Sequence, residues 1–167
     1  ALAVGTFAVA GIAGVALSNR ITDIIKAGGT EYSVTLNGET GLTATSTGGT
    51  TFDFTAEGLT EAEGKFGTLT TGGYVTLAEG NSLNNLQSFA VVCDNHEAIT
   101  LSYGFEEGTW VREGLEGWVP STAGEASLLD EHPNYIRLGA KADVTIESIT
   151  FTYMGDGANC TTATSAP

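Results

Sequence analysis

Few residues in this 167-residue chain are of types that do chemistry. There are two histidines, His96 and His132, and neither sits in an HExxH-like ligand spacing. His96 stands in Asp94-Asn95-His96-Glu97 and His132 in Asp130-Glu131-His132-Pro133, both turn-like stretches, so both are expected in solvated loops. No GxSxG elbow occurs, and neither cysteine has a histidine close by in sequence. Twenty acids ensure that some carboxylate pair falls near a glycosidase separation by chance, but no pair stands out. The expectation is a protein that is not an enzyme and holds no cofactor.

Binding chemistry has better material. Trp110 and Trp118, with Tyr103 near them, lie in a Gly-rich stretch, and aromatic faces with a few polar groups suit a glycan. The competing reading buries both tryptophans in a core or under a loop. Oxygen-rich loops at Asp130-Glu131 and Asp156-Gly157-Ala158-Asn159 offer a structural calcium site, without EF-hand spacing. Cys93 and Cys160 are an even count with no CxxC, which points away from redox and zinc motifs. Paired as a disulfide they would close a loop of about 67 residues, worth roughly 4 kcal/mol by chain entropy. Asn159-Cys160-Thr161 matches a glycosylation sequon, and Ser, Thr and Pro fill the tail 161–167.

Charge narrows the partners. The net charge is −14. Residues 1–28 carry Arg20, Lys26 and Asp23, so the other 19 acids face only Lys65, Arg112, Arg137 and Lys141. Such a body repels phosphate backbones, so no nucleic-acid partner is expected.

The elements behind these residues fall into two kinds. From residue 31 the chain alternates with period two, as in Glu31-Tyr32-Ser33-Val34-Thr35-Leu36. Further strands are expected near 51–55, 65–69, 74–77, 88–93, 98–105, 109–112, 118–120, 135–140 and 144–153. Asn37-Gly38 and Thr71-Gly72-Gly73 supply turns, and a bulge is expected near Glu147-Ser148. Many short strands with Gly-rich turns predict a mainly β fold. Its form is expected to be a jelly-roll-like β-sandwich head, residues 29–160, with one N-terminal hydrophobic α-helix.

That helix is expected over residues 2–27, within an apolar segment 1–28. Residues 1–17 read ALAVGTFAVAGIAGVAL, and no charge precedes Arg20. The missing initiator Met suggests a leader already removed. Gly11 and Gly14, among small residues spaced three and four apart, would let helices approach closely. Leu2, Val4, Phe7, Val9, Ile12, Val15, Leu17 and Ile21 would then bury against neighbouring copies. Loose alternation over residues 1–10 leaves a donated strand as the alternative.

This segment resembles the mature N terminus of type IV pilins, the archaeal ones above all. The resemblance implies a cell-surface filament, a homopolymer whose subunits sit in the membrane before assembly. Gly5 departs from the Glu usual in the bacterial family. The stretches Leu86–Cys93, Ala98–Tyr103, Pro133–Leu138 and Asp143–Tyr153 resemble the strands of jelly-roll carbohydrate-binding modules. That likeness implies the alternative, a membrane-tethered carbohydrate-binding β-sandwich; a virion surface jelly roll is the third reading.

Overall fold

The structure is a computed structural model and describes residues 30–120, 125–128 and 131–154. These residues form ten strands: β1 (Glu31–Leu36), β2 (Thr43–Thr45), β3 (Thr51–Thr60), β4 (Gly67–Leu77), β5 (Leu86–Cys93), β6 (Ile99–Gly104), β7 (Arg112–Leu115), β8 (Glu125–Ser127), β9 (Tyr135–Ala140) and β10 (Val144–Met154). Alternation explains most of them. In β9 the apolar Ile136 and Leu138 point inward at 1% exposure each, while Tyr135 and Arg137 point out.

The expected architecture needs correcting on two counts. The described residues contain no α-helix; one turn of 3-10 helix at His96–Ala98 is their sole helical element. The N-terminal helix, with Leu2 through Ile21, was expected on residues outside those described. No helix among the described residues is long and apolar enough to cross a membrane. The second correction concerns the sheets. The strands join in one continuous ten-stranded sheet, not the two separate sheets of a jelly roll.

Two long strands cause this continuity. β10 pairs with β4 through Val144–Ile146, then passes a register shift between Ile146 and Ser148 and pairs with β5. An eleven-residue strand is long enough to serve two neighbours when a bulge turns it midway. Its far half also holds β1, from Leu36 opposite Ile149 to Glu31 opposite Met154. β4 pairs with β3 along its length and with β9 near its end. Thr71-Gly72-Gly73, expected as a turn, lies inside β4. A side chain on Gly73 would meet the Glu57 carbonyl at 2.6 Å, so the glycine lets a bulged β3 close against β4.

The core lies on the inner face of the curled sheet. Phe54 and Phe151 stack with centroids 5.4 Å apart, and Phe52 meets Tyr153 edge-on at 5.3 Å. Leu36, Leu69, Leu101 and Ile146 are fully buried around them. Each such side chain contributes about 1.5–3 kcal/mol of burial. Asn37-Gly38 opens the expected turn, in which the Asn37 side-chain oxygen accepts from the Glu39 and Thr40 N–H groups. β1 leaves for β10, and β2 pairs with β3.

Candidate functional site

The outer face of β4, β9 and β6 carries the chemistry. The cross-strand register sets Arg137 beside Thr76 on one side and Ser102 on the other, and Gly139 beside Tyr74 and Thr100. The Arg137 guanidinium carbon lies 3.9 Å from the Tyr74 ring centroid and 5.2 Å from that of Trp110. All three side chains are half-buried. A cation held over two rings gains electrostatic attraction to their faces.

Trp110 reaches this place on a hairpin. Gly108, at φ 82°, and a Glu106–Thr109 pairing make a tight turn between β6 and β7. The turn folds back over the sheet, and Gly104 allows it. A side chain on Gly104 would collide with the Thr109 carbonyl, so only glycine lets the Thr109-Trp110 backbone lie directly on β6. Val111 N–H donates to the Tyr103 carbonyl at 2.9 Å. At the tip, Glu107 Oε2 accepts from Gly80 N–H at 2.7 Å, which ties the hairpin to the loop after β4. Phe105 and Val111 stay exposed at its base, at 41% and 49%.

Among the described residues the Arg137 side chain forms no ion pair and no hydrogen bond, and its Nε is buried without an acceptor. Lys141, by contrast, pairs with Glu116 at 2.9 Å.

The other residues singled out by sequence lie elsewhere. Tyr103 is 2% exposed and donates its hydroxyl to Glu131 at 3.2 Å. Burial, then the Glu131 charge, hold its phenol above the usual value. It has no face to offer a ligand. Trp118 is half-buried against the core and makes no ring contact with Trp110. His96 is partly exposed on the 3-10 turn, 3.9 Å from Glu97. His132 lies in a loop as expected but is buried rather than solvated, with φ 50° and Nδ1 3.0 Å from Gln87 Nε2.

Cys93 ends β5, and burial first, then Asp94, raise its thiol pKa above the ordinary value. It borders a shallow depression of about 160 Å³ with Lys65, Val92, Asp94, Thr145 and Glu147. That is below the roughly 300–1,000 Å³ of ordinary small-molecule pockets. Cys160 and Asn159 lie outside the described residues. The expected Cys93–Cys160 bridge therefore falls partly on residues outside those described. Among the described residues no group of His, Cys, Asp and Glu is arranged to hold a metal.

No protein-family model and no curated protein matches the chain. The resemblance to type IV pilins therefore gains no support. One solved structure with a similar course is a low-affinity xylan-binding module, CBM86, from the gut symbiont Roseburia intestinalis. It is 14% identical, with a TM-score of 0.35, over 74% of this chain and 96% of the module. At that score the likeness decides neither fold nor function.

Sequence reasoning found Trp110 and missed Tyr74 and Arg137. The signal was present in β9 and β4, where both fall on the polar phase of an alternating strand, Tyr74 next to Val75 and Arg137 between Ile136 and Leu138.

Proposed function

We propose that this chain is a glycan-binding module that holds a saccharide on the open face of Tyr74, Arg137 and Trp110, and that it works outside the cell. The observation that carries this is the pair of half-buried rings around a guanidinium with no acceptor among the described residues. A pyranose presents patches of C–H on its faces and hydroxyls around its rim. Ring faces take the first by dispersion and quadrupole contact, and N–H donors take the second. An open face with two rings buries little of a ligand, so affinity falls in the weak range, with Kd on the order of 1 mM to 0.1 mM.

The filament reading has no described contact behind it, since every assembly residue precedes residue 30. Affinity electrophoresis through gels of plant and microbial polysaccharides tests the glycan reading. Retardation of the native chain by at least one polymer is expected. Tyr74→Ala and Trp110→Ala should abolish it while leaving the unfolding free energy in urea within about 1 kcal/mol of native. Trp118→Ala should instead lower stability and spare binding by the fraction still folded. Undiminished retardation of both platform variants would refute the proposal.

A further inference from the structure

We infer that the site selects an acidic saccharide, and that Arg137 reads the carboxylate of a uronic acid carried sparsely on a neutral glycan. This rests on the glycan-binding reading above and narrows it.

The argument begins with what Arg137 lacks. Outside residues 1–28 the chain holds 19 acids and four basic residues. An arginine kept only for structure would meet one of those carboxylates easily. Arg137 meets none among the described residues, although Glu57 stands on β3 directly across from Tyr74. Its guanidinium carbon lies over the Tyr74 and Trp110 rings, and its Nε is buried without an acceptor. The Nη nitrogens are therefore the reachable donors, and they point in the guanidinium plane. A planar fork with free in-plane donors matches a carboxylate, which accepts two parallel hydrogen bonds. A neutral hydroxyl uses only one of them. The aromatic walls also exclude water from part of the cation, which strengthens its pull on an anion.

The charge of the whole chain sets the spacing of the acid groups. At −14 the molecule repels a polyuronate over its full length. Screening limits that repulsion to about 8–10 Å in physiological salt. One isolated carboxylate at Arg137 is tolerated; a continuous row of them is not. The ligand class is a neutral backbone with occasional uronate substituents.

The test is a two-by-two comparison. The probes are a xylan with sparse glucuronate side groups and the same polymer after its carboxyls are reduced to alcohols. The proteins are the native chain and Arg137→Gln, with retention measured by affinity electrophoresis. The native chain should bind the acidic polymer about tenfold better than the reduced one, a preference that shrinks between about 50 and 500 mM salt. Arg137→Gln should lose the preference and bind both polymers alike, more weakly than the native chain binds the reduced one. Arg137→Lys keeps the charge without the fork and should lose most of the preference, with near-UV dichroism confirming its fold. Equal retention of both polymers by the native chain would overturn the acid inference and leave the glycan reading standing. Retention by neither polymer, nor by the wider polysaccharide panel, would sink both. A preference that survives in Arg137→Gln, or stronger binding of a sulfated polymer of matched charge, would also overturn the assignment.

Discussion

Gly104→Ala tests whether the hairpin is what places Trp110 over the site. Gly104 does not occupy the left-handed region, so alanine adopts its backbone without strain and the effect is purely one of space. The added methyl would meet the Thr109 carbonyl far inside contact distance, with Trp110 Cα at 3.5 Å behind it. The obstacle is backbone, so no rotamer change relieves it, and the hairpin must lift by about 1 Å to regain ordinary contact. Such overpacking costs about 1–3 kcal/mol. The Val111 N–H bond to the Tyr103 carbonyl, 2.9 Å in the native chain, would stretch or break. Trp110, now 5.2 Å from the guanidinium, would pass the roughly 6 Å limit of useful attraction. Gly139→Ala is the control. Its methyl would meet the Thr100 hydroxyl at 2.7 Å, a group that can rotate away for about 0.5–1.5 kcal/mol. Urea unfolding and affinity electrophoresis on both variants separate stability from site geometry. Gly104→Ala should lose at least about tenfold in retention while remaining folded, and Gly139→Ala should lose less. If Gly104→Ala binds like the native chain, or if Gly139→Ala is the more damaging, the hairpin does not set the site.

Three further outcomes follow from the same geometry. Phe151→Ala removes a 1%-exposed ring stacked on Phe54 and should lower unfolding free energy by about 3–5 kcal/mol in urea titration; a loss under about 1 kcal/mol would contradict that packing. Burial raises the phenols of Tyr103 and Tyr153 above the usual value of 10.0, so the folded state keeps their protons longer than the unfolded state. Their stabilising effect is whole below pH about 10 and is lost as pH climbs through the raised values. Absorbance at 295 nm should show two phenols ionising only as near-UV dichroism collapses, and their ionisation in a still-folded chain would refute this. Finally, the Cys93–Cys160 pairing is read directly: a mass two units low with no reactive thiol in denaturant shows the bridge, and two thiols that react with a chromogenic disulfide reagent without prior reduction rule it out.

The elements legible in the sequence were those whose alternation survives along one strand. β1 and β9 begin and end where the period-two pattern does, and β5, β6 and β10 differ by a residue or two. β2 and β8 span three residues each, too few to show a period. β4 was read as two strands because Gly72-Gly73 carries turn chemistry, and only the neighbouring β3 shows that those glycines serve a bulge. The sheet count failed for the same reason: whether β10 changes partners at Ser148 depends on β5, more than fifty residues earlier. The site followed this division. Trp110 was visible as a rare residue in a Gly-rich stretch. Tyr103 was misassigned although its strand gives its phase, since Ile99 and Leu101 set every second position inward. Tyr74 and Arg137 belong to strands far apart in sequence, and they meet because β4 and β9 pair with Thr76 opposite Arg137. Their meeting is a property of register. A one-residue slip of β9 would turn Arg137 into the core and Ile136 into solvent, so burial of Ile136 and Leu138 is what holds the cation on the open face.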